Sequence, residues 1–244
     1  MWRSLVLASL FQGASLGADR AHQLSTPDAI DALANSFSSP APLSRALDAR
    51  IHSLQVAPSA TLAAETLQVM SPLAERAGLA SLRSDLDDLS FHVLSPAIHE
   101  ALSHGADERA RVAGTLAQHA TTLMQGLGVT GEVSHRTKSA YSTWRKMERK
   151  GLTVDQVLDR VALRLVVDSE ASVYALLGAL HERYTPLDDA FDDYIAQPKS
   201  NGYQSIHTAV HVDGQVAEFQ LRTYAMHEAA EQGDAAHWRY KLVG

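Results

Sequence analysis

A short basic segment of the chain repeats lysine or serine at every fourth position. Lys138, Ser142, Lys146 and Lys150 have this spacing within residues 136–150, where six Lys or Arg against one Glu give a balance of +5. A helix here would place the four side chains along one side, and ammonium groups beside a hydroxyl suit a polyphosphate. A basic run is more often an ordinary solvated helix face, so the residues alone leave both interpretations open.

A predicted β-hairpin brings together a second polar set. Asp213-Gly214 separates two strand-like segments, 204–212 and 215–223, and this dipeptide favours a type I′ turn. With this turn, two residues face each other across the hairpin when their residue numbers add to 427. Side chains along each strand alternate between the two faces of the hairpin. One face carries the polar residues Ser205, His207, Glu218, Gln220 and Arg222, and the other carries Ile206, Val210, Phe219 and Leu221. The polar face is either solvated, as is common in antiparallel sheets, or functional.

Carboxylates occur where they could share a hard divalent ion. Asp159 precedes the strand-like segment 161–167, and Glu218 lies on the predicted hairpin, so the two could bind one cation. The acidic run 188–193 is another candidate, although surface acids are usually only solvated. Tyr203 follows an Asn-Gly turn and is either a stacking platform for a base or a half-buried tyrosine.

The elements that must hold these residues are of two kinds. Beyond residue 130, the pattern predicts the strand 161–167, a helix over 170–184, the hairpin, and a closing helix over 225–241. Before residue 130, it predicts a helical stripe from 62 to 73 ending at Gly78, helices over 82–94 and 108–126, and a loop over 36–43. We therefore expect an α+β fold, with a helical region at 1–130 followed at 131–244 by a mixed β-sheet flanked by helices.

The composition excludes several classes of protein. The 244 residues contain no cysteine, which excludes disulfides, thiolate zinc sites and a cysteine nucleophile. A net charge of -7 argues against non-specific coating of nucleic acid. No apolar run is long enough for a membrane span, and we expect a cytoplasmic protein with no membrane association. Residues 1–17 superficially resemble a secretory signal, but their short apolar run favours an ordinary buried helix.

Four motifs of the chain resemble the synthetase domain of the RelA/SpoT alarmone family. They are Arg136–Met147, Asp192–Thr208, Glu218–Thr223 and Ala235–Lys241, in the order and spacing of the family. The resemblance covers about residues 130–241, and the helices before it resemble the linker helices of long family members. It implies a synthetase fold related to polymerase-β-like nucleotidyltransferases.

The resemblance also implies a reaction and a set of site residues. The family transfers the β,γ-pyrophosphate of ATP to the 3′-hydroxyl of GDP or GTP, which yields ppGpp or pppGpp and AMP. By position, the catalytic and Mg2+-binding pair is Asp159 and Glu218. The ATP-binding residues are Arg136, Lys138, Ser142, Lys146 and Arg164, with the two arginines sandwiching the adenine. The acceptor-binding residues are Lys199, Asn201, Tyr203, His207 and Gln220, with Tyr203 stacking on guanine.

Departures from the family pattern indicate which of the family's two activities to expect. Residues 47–54 resemble the end of the family's hydrolase domain, but Ala49 and Ser53 replace residues that hydrolysis needs. We therefore expect a short, synthesis-only form with a truncated hydrolase remnant and no ribosome-binding domain. Its partners would be ATP and GDP or GTP, and a homo-oligomer stays open. Two alternatives also stay open, namely a toxin-like member that modifies adenine nucleotides or tRNA 3′ ends, and a catalytically inactive nucleotide-binding regulator.

Overall fold

The chain forms two compact units in a computed structural model that describes residues 14–37 and 39–232. The first unit runs to Ser103 and also includes Ser139–Ser142. The second comprises His104–Lys138 and continues from Thr143. The domain boundary that the composition predicts near residue 130 stays a prediction.

The first unit is helical, as the sequence predicts. Its helices are α1 (Ala18–Leu24), α2 (Pro27–Ala34), α3 (Pro40–Val56), α4 (Ala60–Glu65), α5 (Ser71–Arg76), α6 (Ala80–Leu94) and α7 (Pro96–Ser103), with a π-helical segment, Thr66–Met70, joining α4 to α5. Its core contains Leu33, Leu47, Met70, Leu73 and Leu86. Several of these helices are too short to be stable alone, so burial of their apolar faces must hold them.

One sequence prediction for this unit is wrong. The loop predicted over 36–43 ends at Pro40, where α3 begins. A proline in the first turn of a helix is tolerated because its missing N–H would have no intrahelical partner. The predicted stop is confirmed, since α5 ends at Arg76 and Gly78 has a φ of 72°. The helix predicted over 82–94 is confirmed as α6.

The second unit contains a five-stranded mixed sheet. From residue 106 the elements are α8 (Ala106–Gly126), β1 (Gly131–Thr137), α9 (Ala140–Lys150), β2 (Val161–Val167), α10 (Glu170–Arg183), β3 (Thr185–Asp193), β4 (Ile206–Val212), β5 (Gln215–Thr223) and α11 (Tyr224–Gln232). The strand order is β1-β2-β5-β4-β3. β2 and β5 run parallel, and the other neighbours run antiparallel. A mixed sheet with helices confirms the predicted α+β class.

One face of this sheet forms the core of the second unit. Leu163 and Leu165 of β2 and Phe219 and Leu221 of β5 are fully buried, in one cluster with apolar side chains of α8 and α10. Because side chains alternate along a strand, the intervening residues emerge on the opposite face. That opposite face carries the candidate site.

The predicted hairpin is confirmed in its turn and its register. Asp213 and Gly214 have φ values of 47° and 74°, as both central residues of a type I′ turn require. His207 lies opposite Gln220, and Ala209 lies opposite Glu218. His207, Glu218, Gln220 and Arg222 therefore share one face, as predicted. Ser205, by contrast, lies before β4 and is fully buried, where its hydroxyl donates to backbone carbonyls.

The acidic segment that the sequence left without an element forms the edge strand β3. It pairs with β4, with an irregular register between Pro186 and Phe191. Acidic side chains on an edge strand discourage pairing with another chain, and they also hide the apolar alternation by which strands are predicted. The predicted closing helix is observed as α11; its predicted continuation to 241 lies outside the described residues, as do residues 1–13. No described helix is long and apolar enough to cross a membrane.

Candidate active site

Asp159 lies at the centre of the first cluster on the polar face. It occupies a single turn, Leu158–Arg160, just before β2, and is 8% exposed. Its Oδ2 accepts a hydrogen bond from Lys138 Nζ at 2.8 Å, and its Oδ1 accepts one from Lys146 Nζ at 2.8 Å. Burial alone would raise the pKa of this carboxyl, but the two ammonium groups lower it to about 2. Asp159 is therefore charged at neutral pH.

The two lysines reach Asp159 from different elements. Lys138 follows β1, and its backbone N–H donates to the carbonyl of Arg160 at 3.0 Å, whereas Lys146 lies within α9. Because α9 begins at Ala140, the prediction that one helix aligns all four residues is wrong for Lys138. Ser142 lies one turn before Lys146 in α9, and Lys150 is its exposed last residue.

Glu218 supplies the second carboxylate of the polar face. Its Oε2 accepts a hydrogen bond from Gln220 Nε2 at 2.9 Å, and its Oε1 lies 3.7 Å from His207 Nδ1. Burial would raise the pKa of Glu218, but His207 and Gln220 lower it below its ordinary value. The negative charge of Asp159 acts in the opposite direction and raises it. Asp159 thus acts electrostatically on Glu218, and β2, the strand directly after Asp159, runs parallel to β5, the strand that carries Glu218.

A second cluster surrounds Tyr203, which precedes β4 rather than beginning it. Its backbone N–H donates to Asn201 Oδ1 at 3.2 Å, within a turn in which Gly202 has a φ of 76°. Its hydroxyl is 2.8 Å from His207 Nε2. Lys199 Nζ lies 5.3 Å from the centre of the Tyr203 ring. The structure thus brings together four of the five residues predicted for the acceptor, and the fifth, Gln220, lies opposite His207.

Tyr194 belongs to the same cluster, and the sequence reasoning missed it. Its ring makes edge contacts with Tyr203 and His207, with centroids 6.2 Å and 5.4 Å apart. Lys199 Nζ lies only 4.1 Å from its ring centre. The available signal was an aromatic residue directly after the acidic run, inside the Asp192–Thr208 motif.

Arg136 and Arg164 lie on neighbouring strands of the polar face. Arg136 pairs with Ala162 and Arg164 with Ser134, so the two arginines are diagonal neighbours. Diagonal positions on one sheet face lie about 7–8 Å apart, which is within the reach of long side chains. Both arginines can therefore contact one ligand on this face. A small pocket of about 110 Å³ opens here, lined by Ser134, Arg136, Ala162, Arg164 and Gln220 among others.

A third cluster joins β5, β2 and α11. Arg222 is 2% exposed, and its Nη2 lies 2.7 Å from His227 Nδ1 and 3.2 Å from Glu231 Oε1. Arg164 Nη1 donates to the same Glu231 oxygen at 3.3 Å. Arg222 was predicted on the polar face, but its burial by α11 was not. His227 and Glu231 escaped the sequence reasoning, although their i, i+4 spacing places them on one side of a helix.

The polar face combines groups that can bind a polyphosphate, a divalent cation and an aromatic base. Ammonium and guanidinium groups bind phosphates and rings, and neighbouring carboxylates bind hard cations. Among the described residues, no three His, Asp or Glu side chains converge to hold a metal ion. The acidic run at 188–193 therefore does not form the metal site considered from the sequence, and any ion shared by Asp159 and Glu218 would need further oxygen ligands.

Comparisons with known proteins identify relatives of this chain. Residues 135–244 match a family model described as a region found in RelA / SpoT proteins. GTP pyrophosphokinase of Escherichia coli K12 is 42% identical over 184 residues, which cover 73% of this chain and 25% of that protein. Guanosine-3′,5′-bis(diphosphate) 3′-pyrophosphohydrolase of Aquifex aeolicus is 37% identical over 186 residues, which cover 74% of this chain and 27% of that protein. The chain thus spans about a quarter of the length of these relatives.

A solved structure shares the fold. A GTP pyrophosphokinase family protein from Streptococcus pneumoniae superposes with a TM-score of 0.51 and 25% identity, over 57% of this chain and 77% of that one. The part of the chain that matches the family model carries all the clusters described above and the whole sheet apart from the first four residues of β1. On these matches, the chain belongs to the RelA/SpoT family.

Proposed function

We propose that this chain is an ATP:GDP/GTP 3′-pyrophosphotransferase that makes ppGpp or pppGpp and AMP. One observation carries the proposal: a buried Asp159, held by two lysines, acts electrostatically on Glu218, whose sheet face also carries the diagonal arginines and the His207 that contacts Tyr203. Such a face can hold two nucleotides and neutralise the charge between them. Because its substrates would be ATP and a guanine nucleotide, we infer that it acts in the cytoplasm.

The donor would bind through cations and stacking. Arg136 and Arg164, which are diagonal neighbours on the polar face, would sandwich the adenine ring. Lys138 and Lys146, which contact Asp159, would turn toward the phosphates when ATP is present. The hydroxyl of Ser142, one turn before Lys146, would add a neutral hydrogen bond to the same phosphates.

The acceptor would bind at the tyrosine cluster. Stacking of guanine on Tyr203 supplies affinity but little discrimination between bases, since every base has an aromatic face. Selection must then come from polar groups that a wrong base leaves unpaired. Lys199, Asn201, His207 and Gln220 surround this position, and they are the groups we assign to that role.

The residues present also fit a hard divalent ion. Asp159 and Glu218 both have a pKa below the ordinary value and carry their charge at neutral pH. Mg2+ in such sites takes one or two carboxylates and completes its shell with water and substrate phosphates. Bound there, Mg2+ would neutralise phosphate charge during transfer.

The chemistry requires little of the protein beyond alignment and charge. The 3′-oxygen of the acceptor would attack the β-phosphorus of ATP, and the bond between that phosphorus and the α,β-bridging oxygen would break, so AMP leaves. The proton of the 3′-hydroxyl would pass to Glu218, whose carboxylate is ionised and so able to accept it.

The test is a transfer assay with a matched control. Wild type, Glu218→Gln and Glu228→Gln are incubated with γ-labelled ATP, Mg2+ and GDP, GTP, ATP or tRNA, and the products are separated by chromatography. Glu228 is an exposed acid of α11 outside the clusters. We expect label on GDP or GTP, lost by roughly 100-fold or more in Glu218→Gln and kept in Glu228→Gln.

Each other result would overturn part of the proposal. Label on ATP or tRNA instead of GDP or GTP would keep the chemistry and replace the acceptor. Absence of transfer to every acceptor would refute the activity and favour a nucleotide-binding regulator. Full activity in Glu218→Gln would refute the role of that carboxylate.

A further inference from the structure

A single carboxylate oxygen on α11 joins two arginines of the sheet. Glu231 Oε1 accepts from Arg222 Nη2 at 3.2 Å and from Arg164 Nη1 at 3.3 Å. Glu231 is half exposed, whereas Arg222 is 2% exposed and is also held by His227 Nδ1 at 2.7 Å. Arg222 is thus buried and held in place by two contacts, whereas Arg164 lines the pocket.

Arg164 needs such a contact because two neighbouring arginines among the described residues repel it. Burial, Arg222 and Arg136 all lower its pKa, and Glu231 is the carboxylate that acts the other way. The Nε atoms of Arg164 and Arg222 are buried and have no hydrogen-bond partner among the described residues. Within the part of the chain that the structure describes, the contact with Glu231 therefore orients the guanidinium of Arg164, whereas Arg222 is oriented by both His227 and Glu231.

We propose that Glu231 is a positioning residue that holds the guanidinium of Arg164 in the plane required to stack on the adenine of ATP. This inference rests on the proposed function, because it assumes that Arg164 faces the donor base. Stacking needs a fixed plane, and repulsion from Arg136 and Arg222 would otherwise turn Arg164 away. Glu231 itself would not touch the nucleotide.

The effect should be modest and confined to the donor. An ion pair of partly exposed side chains such as Arg164 and Glu231 is worth little, so loss of the positioning should weaken ATP binding about three- to fivefold. Binding of GDP should not change, since the tyrosine cluster does not include Glu231. A general loss of structure would weaken both nucleotides together.

The test measures binding with a donor analogue that cannot react. The probe is α,β-methylene-ATP, in which carbon replaces the bridging oxygen whose bond would break. Its Kd and that of GDP are measured by titration calorimetry for wild type, Glu231→Gln, Arg164→Gln and the double variant. Glu228→Gln, on the same helix, is the matched control, and the thermal midpoint of each variant reports folding.

The double variant identifies a positioning role. If Glu231 acts through Arg164, then Glu231→Gln should add almost nothing in the Arg164→Gln background. Losses that multiply in the double variant, or an unchanged Kd for the ATP analogue in Glu231→Gln, would overturn the inference. Glu231→Asp keeps the charge but shortens the reach, so it too should weaken binding; full affinity in that variant would also contradict positioning.

The outcome is separable from that of the proposed function. If the wild-type chain transfers pyrophosphate but Glu231→Gln binds the analogue as tightly as wild type, only the positioning role fails. If the wild-type chain transfers nothing to any acceptor, the proposed function fails, while the coupling between the Glu231 and Arg164 variants is still measured by binding.

Discussion

At the scale of single residues, Asp159 shows how the site keeps a charge in a place where burial opposes it. The carboxyl is 8% exposed, yet each of its oxygens accepts a lysine hydrogen bond at 2.8 Å. Burial raises the pKa of Asp159, but the two lysines lower it by more, so that it falls from 3.8 to about 2. The same contacts keep two cations close to the surface where phosphates would arrive.

The lowered pKa of Asp159 predicts a stability effect that depends on pH. A carboxyl with a folded-state pKa below its unfolded value stabilises the fold above the unfolded value and loses that stabilisation as pH falls through the folded one. Asp159→Asn should therefore lower the free energy of unfolding by about 2 kcal/mol at neutral pH. The difference in the free energy of unfolding between wild type and Asp159→Asn should become smaller as the pH falls from about 5 to about 3. It is measured by urea unfolding without divalent cations.

Asp168→Asn is the control for this measurement. Asp168 is an exposed acid just after β2, and its replacement should change the stability little at any pH. If the difference in unfolding free energy between wild type and Asp159→Asn stays constant down to pH 3, the lowered pKa assigned to Asp159 is wrong.

At the scale of elements, Gly131 shows how closely α8, β1 and β2 pack. A Cβ at this position would overlap the backbone oxygen of Val166 and lie 2.7 Å from Met124 Cε. The neighbouring strand and the end of α8 can approach this closely only because Gly131 has no side chain. Gly131→Ala should therefore destabilise the protein by about 2 kcal/mol through overpacking, measured by urea unfolding.

Gly178→Ala, in contrast to Gly131→Ala, should stabilise the protein in the same assay. Gly178 lies within α10, and a Cβ there would meet nothing within 4 Å. Alanine in an open helical position should stabilise by about 0.5–1 kcal/mol. If Gly131→Ala proved as stable as wild type, the close packing of α8, β1 and β2 would be wrong.

Elements with a clean local signal could be predicted from the sequence. The strand 161–167 is an uninterrupted apolar run, and Asp213-Gly214 fixes the hairpin and its register, so both match the structure. The edge strand β3 could not be predicted, because its acidic side chains suit a sheet edge and lack the apolar alternation that identifies a strand facing a core. The start of α3 was missed because prolines serve both loops and first helical turns.

The candidate site was predictable where a residue's position in a strand determines its face. The pairing of His207 with Gln220 and the placement of Glu218 follow from the turn alone. Contacts that depend on how elements pack could not be predicted, such as both lysines meeting Asp159 or Glu231 bridging two arginines. Those contacts join residues 13 to 67 positions apart, beyond any local pattern.

At the scale of the whole molecule, each of the two units has an interior of its own, and the first contains a buried ion pair. Arg50 is fully buried and Glu65 is 2% exposed, with Nη1 and Oε2 3.5 Å apart. Glu65 also accepts hydrogen bonds from the backbone N–H groups of Leu16 and Gly17, both at 2.8 Å. This carboxylate therefore joins the residues before α1 to the helical core.

Glu65→Gln should destabilise the first unit by about 3 kcal/mol, because it leaves the Arg50 guanidinium buried without a counter-charge. Hydrogen exchange of α3 and α4 should report the loss of protection. Glu75→Gln removes the partner of an ion pair to Arg83 that is partly exposed, so it should change stability by less than about 1 kcal/mol. Equal effects of the two variants would contradict the buried pair.

The charge of the whole chain is -7, yet the candidate site gathers lysines and arginines on one sheet face. This contrast favours a local polyphosphate site over a broad anion-binding surface. In the proposed reaction the β- and γ-phosphates of ATP are transferred together, which distinguishes it from ordinary phosphoryl transfer and from ATP hydrolysis to ADP.

The measurement that tests this claim most directly identifies the adenine nucleotide released per acceptor consumed. The chain is incubated with ATP, Mg2+ and GDP or GTP, and all nucleotides are quantified by ion-exchange chromatography. The proposed reaction should yield AMP in equal amount to the acceptor consumed, and no AMP when the acceptor is omitted. Release of ADP and phosphate, or AMP formation independent of the acceptor, would contradict it.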